Sequence, residues 1–118
     1  MKENLLVDLS KKFAVDIVNV CSELQNMKRE YVLANQLLHS GTSIGENIHE
    51  ANYASSRADF INKLQIALKE CYETEYWLDL FKETGIISEE AHTSLYSQCC
   101  KIRKLLTASI NTAKDNME

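Results

Sequence analysis

No proline occurs anywhere in the 118-residue chain, and glycine occurs only three times. Tight turns lean on these two residues, and proline breaks helices. A chain this poor in both cannot supply the frequent reversals of an all-β domain, so long helices are favoured. Hydrophobic residues at 45% and charged residues at 25% are ordinary globular usage, which excludes wholesale disorder and fibrous repeats. The length suits a single domain over residues 1–118, built around one core.

Apolar spacing divides the chain into four helices. Leu6, Leu9, Phe13, Ile17, Val20 and Leu24 recur at three- and four-residue intervals, which predicts a first helix from Leu5 to Leu24. The polar run Gln25 to Arg29 breaks the pattern. A second helix then carries Leu33, Leu37, Gly41, Ile44, Ile48 and Ala51 on one side and ends near Asn52-Tyr53. Ser55 and Ser56 are good N-caps, and Ser56-Arg57-Ala58-Asp59 imitates a capping box. The third helix begins there, with Phe60, Leu64, Ala67, Cys71 and Leu78 as its core face, and stops at Gly85, a left-handed C′ residue. Ser88 caps the fourth. Glu89 and Glu90 occupy its first turn, where the dipole favours acids. Ala91, Leu95, Cys99, Ile102, Leu106, Ser109 and Ala113 form its stripe, and Lys114 to Glu118 is expected to fray. Short loops make antiparallel neighbours the economical solution. The expected fold is therefore an all-α, up-down-up-down four-helix bundle.

Charge and apolar runs limit the function classes. A net charge of −4 and a pI near 5.4 argue against a domain whose whole surface grips phosphate backbones, though not against a local basic patch. The longest stretch free of Asp, Glu, Lys and Arg, Tyr31 to Gly45, is interrupted throughout by Asn, Gln, His, Ser and Thr, so no membrane span is expected. Met1-Lys2-Glu3-Asn4 leads into a charged amphipathic segment rather than a signal peptide, and a cytoplasmic location is expected. Cys21, Cys71, Cys99 and Cys100 lack the spacing of a zinc site and read as small core hydrophobes, the adjacent Cys99-Cys100 included.

The third helix carries more apolar surface than one bundle needs. At about 100° per residue, Ile66, Trp77 and Leu80, with Tyr76 and Phe81 beside them, fall opposite its core stripe. A contiguous patch containing a Trp is one that a soluble monomer rarely leaves wet, so these residues are candidates for a subunit interface; a wide helix covered by another segment is the structural alternative. Gly41 and Gly45, one turn apart on helix two, each cost about 1 kcal/mol relative to alanine. Close approach of another helix would offset that cost, and the two glycines join the interface candidates, against the plainer reading of a kink or surface tolerance.

Two Glu-x-x-His pairs, Glu46/His49 and Glu89/His92, imitate the ligands of carboxylate-bridged metal bundles. Glu46 lies ~24 Å along helix two at 1.5 Å per residue, whereas Glu89 lies in the first turn of helix four. About 20 Å then separates the pairs, and a dinuclear centre needs its metals about 4 Å apart. No metal and no cofactor is expected. No nucleophile–base arrangement or Gly-rich phosphate loop is legible either, so no enzymatic activity is expected.

Ser43-Ile44-Gly45-Glu46-Asn47-Ile48-His49-Glu50, followed by Ser56, Asp59-Phe60-Ile61, Leu64, Ile66-Ala67 and Glu73-Thr74-Glu75, resembles the four-helix-bundle family encoded in 23S rRNA intervening sequences. Its signatures are S-I-x-x-N-I-x-E and E-F-I-x-x-L-x-I-A. The resemblance implies a protomer that assembles with itself into a closed pentameric ring and has no established enzymatic activity. A related branch serves as the accessory protein of diversity-generating retroelements, where a basic ring binds nucleic acid and a reverse transcriptase. This chain departs from that branch at Ala51-Asn52-Tyr53-Ala54-Ser55, where relatives carry Gly and Arg, and only Arg57 remains nearby.

Polar residues of these motifs at the edge of the core need partners. Asn47 and Glu75, with Ser43, Glu50 or Glu73, are expected to form a network between helices two and three, whose plain role is to fix helix register and whose alternative is ligand binding. The expected role is a non-enzymatic homo-oligomeric scaffold. The alternative is a nucleic-acid accessory protein using Lys101, Arg103 and Lys104, provided that Lys11, Lys12, Lys28 and Arg29 converge with them on one face.

Overall fold

The computed structural model describes residues 2–117, and all of its regular structure is helical: α1 (Lys2–Met27), α2 (Tyr31–Ala51), α3 (Arg57–Glu83) and α4 (Glu89–Asp115). Each helix packs on its sequence neighbour, and α4 returns to α1 through the thinnest of the four contacts. Contacts along the seams run antiparallel. Ser10 and Ile17 of α1 meet Gly45 and Gly41 of α2, and Glu50 of α2 pairs with Lys63 of α3. Asp79 and Glu75 of α3 meet His92 and Tyr96 of α4, and Asp16 of α1 meets Gln98 of α4. The result is an up-down-up-down bundle about 50 × 22 × 20 Å.

The core follows the apolar stripes. Phe13, Ile17, Leu37, Ile44, Leu78, Phe81, Ile102 and Leu106 are fully buried. Each such side chain contributes about 1.5–3 kcal/mol relative to exposure. Leu9, Val20, Leu33, Phe60, Ala91 and Ser109 are only half-buried, and the stripe instead takes in Ser10, Cys21, Ala34, Ile61, Thr74 and Ile110. Ser40 and Thr74 survive burial by donating to carbonyls of their own helix, Leu37 at 3.3 Å and Glu70 at 2.7 Å.

The helix ends show why the chain turns where it does. Ser56 Oγ accepts from the Asp59 N–H at 3.1 Å, while Asp59 reaches back to the N–H of Ser55 at 3.0 Å, a capping box shifted by one residue. Gly85 takes φ 75°, and the Ile86 N–H bonds to Phe81 O at 2.8 Å, closing a Schellman turn. Ser88 Oγ accepts from the Ala91 N–H at 3.1 Å. Three boundaries differ from expectation, the first being the start of α1 at Lys2 instead of Leu5. Helix α1 runs on to Met27, where the buried Leu24 and a 2.7 Å bond from Gln25 to Asn35 hold its last turns against α2. Helix α4 continues to Asp115, because the buried Ala113 anchors the start of the tail expected to fray; Glu118 lies outside the described residues.

Candidate functional site

Helix α3 presents three different surfaces, and the residues singled out by sequence divide among them. On its outward side Tyr72 is 55%, Tyr76 61% and Ile66 37% exposed, with Trp77 and Leu80 half-buried beside them. Trp77 meets Tyr76 edge-on at 5.1 Å between ring centroids and leans over Phe81 at 6.4 Å. Phe81 itself is fully buried, a correction to its expected place beside the outward patch. Three residues after Leu78, it lies only about 60° from that core residue round the helix.

The flank facing α4 is a chain of polar and aromatic contacts. Arg103 Nε donates to Glu75 Oε2 at 2.7 Å, and Tyr96 donates to Glu75 Oε1 at 3.4 Å. The guanidinium lies 5.4 Å from the centroid of the Tyr72 ring and donates to Cys100 Sγ at 3.2 Å. Tyr96 stacks on His92, which bonds to Asp79 at 2.7 Å. The hydrogen bond to Glu75 holds Arg103 firmly protonated, and burial together with the Glu75 charge pushes the Tyr96 phenol up. Residues equidistant from the Gly85–Ile86 turn face each other, which brings Asp79 to His92 and Glu75 to Tyr96.

The flank facing α2 is different. The network expected between helices two and three does not form: Asn47 donates to Ser43 O of its own helix at 2.9 Å, Glu73 is exposed, and Glu75 faces α4. Only Glu50 crosses, to Lys63 at 3.1 Å. The physical reason is angular. Glu75 stands about 140° round the helix from the α2-facing Glu70, at 100° per residue. Glu70, which sequence reasoning passed over, occupies the seam instead. Its Oε2 is buried with no donor among the described residues, and burial followed by the neighbouring Glu73 charge raises its pKa against the opposing pull of His39 and Lys69.

The two glycines serve the bundle itself. A Cβ on Gly41 would stand 2.9 Å from Ile17 Cγ2, and one on Gly45 3.4 Å from Ser10 O. The close approach they permit is to α1 of the same chain. Gly41 is buried, which corrects its assignment to a subunit interface. Gly45 lines a groove of about 390 Å³ between α1 and α2, together with Asp8, Lys11, Glu46 and His49.

The basic residues do not converge. Lys12 and Lys101 line a second groove, about 340 Å³, between α1 and α4. Lys11 lies in the α1–α2 groove, Lys28 donates to Ile86 O at 2.8 Å at the far end, and Arg29 stands in the α1–α2 turn at φ 53°. Arg103 is committed to Glu75; Lys104 is exposed.

The paired Glu and His residues fall on separate surfaces, Glu46 and His49 by the α1–α2 groove and His92 against Asp79. Among the described residues no three His, Cys, Asp or Glu side chains are grouped so as to hold a metal ion. Cys21, Cys71 and Cys99 are buried and Cys100 half-buried. Burial pushes the Cys21 thiol up to about 11, and Cys99 is raised further by its contact with Cys71 and by burial. Both are protonated packing groups at neutral pH. No helix is long and apolar enough to cross a membrane among the described residues.

A sequence model described as "23S rRNA-intervening sequence protein" matches residues 2–108. The chain belongs to that family. It is also similar to a crystal structure of a protein with unknown function from the S23 ribosomal protein family of Bacteroides thetaiotaomicron VPI-5482. The two are 52% identical over 94% of this chain and 99% of the other, with a TM-score of 0.92. No curated protein matches. Family membership accounts for the conjunction of the Ser43–Glu50 and Asp59–Ala67 motifs with four helices.

Proposed function

We propose that this member of the 23S rRNA-intervening sequence protein family is a non-enzymatic, cytoplasmic scaffold that works as a homo-oligomer, with the ring its family resemblance implies. One observation carries the reading. The outward side of α3 holds Ile66, Tyr72 and Tyr76 at 37%, 55% and 61% exposure, with Trp77 and Leu80 only half-covered by the protomer's own core. Aromatic residues with an apolar body are the usual anchors of protein interfaces. A second copy would cover what the bundle leaves open.

The alternative, a nucleic-acid accessory protein, has less support. Arg103, the residue best suited to bidentate phosphate contact, is tied to Glu75, and the remaining lysines are spread over three surfaces.

Light scattering on the wild-type protein at micromolar concentration tests the proposal. Several protomer masses are expected. A mass of 13.5 kDa, that of one chain, would remove its main support.

A further inference from the structure

The α2–α3 and α1–α4 seams lie on opposite sides of the bundle, since the helices pack in the cyclic order α1, α2, α3, α4. The two seams carry complementary features. On the α2–α3 side, Glu50 and Lys63 cancel, leaving Glu70 and Glu73 against Lys69, with Ile66 and Trp77 alongside. One oxygen of Glu70 is buried without a donor. The rest of the Glu70 side chain is partly exposed, and Glu73 beside it is exposed. On the α1–α4 side a groove runs between Leu9 and Ile102, with Lys12 and Lys101 at its rim and the exposed Lys104 outside it on α4. Lys12 is paired with Asp16 at 2.7 Å, whereas no acid reaches Lys101 or Lys104 among the described residues.

We infer that the α2–α3 seam of one copy docks into the α1–α4 groove of the next, with Ile66 and Trp77 against the groove and Lys101 facing the Glu70 and Glu73 carboxylates. The inference rests on the homo-oligomeric reading above and goes further by naming the two faces. Two arguments support a second copy as occupant. The excess charges are opposite in sign, and the two faces are opposed across the bundle. A contact between unlike, opposed faces is head-to-tail, the kind that generates rings when the rotation closes. A two-fold contact between like faces would bring Glu70 and Glu73 against their own copies.

Charge exchange tests the pairing. Lys101→Glu, on the exposed side of α4, leaves helicity unchanged and weakens assembly at least ~10-fold by sedimentation, because it sets like charges together. Glu70→Lys does the same, and the chain carrying both changes recovers assembly. Glu70→Gln provides the same direction of effect if Glu70→Lys does not fold. Assembly unaffected by Lys101→Glu, or a double variant no better than the singles, overturns the docking pair while leaving oligomerisation standing. A wild-type monomer overturns both. If Lys101→Glu abolishes salt-sensitive binding of a single-stranded RNA probe but leaves assembly intact, the groove is a nucleic-acid surface and the inference fails.

Discussion

Glu70 and Glu75 lie five residues apart on the same helix, yet Glu75 accepts a 2.7 Å bond from Arg103 and a 3.4 Å bond from Tyr96, while Oε2 of Glu70 is buried with no donor. The α4 flank of α3 completes its polar chemistry within the chain. The α2 flank does not, and Ile66 and the half-buried Trp77 lie on its outer edge. A carboxylate that a protomer satisfies reads as internal cement between helices; one left short of donors at a half-exposed seam position reads as part of an unfinished surface. Packing alone would not separate the two flanks, since both border the same core. The hydrogen-bond accounting does.

The largest effect should come from breaking the completed flank. Arg103→Ala leaves Glu75, 8% exposed, without its cation, and should destabilise the protomer by about 2–3 kcal/mol, below the full cost of a deeply buried pair because the guanidinium is partly solvated. Arg103→Lys should recover only part of this, since an ammonium cannot both reach Glu75 and lie flat over Tyr72. Denaturant unfolding at several protein concentrations measures it. A loss that shrinks on dilution would mean that Arg103 works between copies, which would erase the contrast with Glu70.

Trp77→Ala sharpens the comparison on the other side. Half-buried beside Phe81, Trp77 should account for about 1–2 kcal/mol of protomer stability, less than the 3–5 kcal/mol typical of a fully buried aromatic. In addition it should make the thermal midpoint less dependent on protein concentration than that of the wild type, because assembly stabilises the folded state by mass action. A wild-type midpoint already independent of concentration contradicts a role for Trp77 between copies.

Much of this architecture was legible in the residues, and the parts that were not share one cause. Helix number, the Ser56 and Ser88 caps and the Gly85 stop depend on local chemistry, and all appear where expected. Contacts between helices depend on rotation about each axis and on register. Spacing alone therefore points Glu75 at α2 instead of α4, and gives the space beside Gly41 to a partner instead of Ile17. The hairpin register set by the Gly85 turn could have paired Glu75 with Tyr96, since the two are equidistant from it. Glu70 gave no such signal. A glutamate between Lys69 and Cys71 on a long helix looks solvated until its oxygen is found buried.

The smallest expected effect bears most directly on that oxygen. Burial and Glu73 raise the Glu70 pKa, so the folded protomer holds this proton more tightly than the unfolded chain does. For a raised carboxylate the sign is fixed: ionisation costs the folded state stability as pH climbs from the unfolded value through the folded one, and below both values the cost vanishes. Glu70→Gln removes the charge and keeps the shape. In dilute solution, where single protomers dominate, the variant should match the wild type in acid and become more stable by a few tenths of a kcal/mol to about 1 kcal/mol near neutrality, discounted for the partial exposure of the side chain. At high concentration the order should reverse, because the same substitution deprives the neighbouring lysine of its acceptor charge. Thermal midpoints across pH at two concentrations give both curves. Equal differences at both concentrations would show that Glu70 is as self-contained as Glu75, and the two flanks of α3 would then differ only in strength.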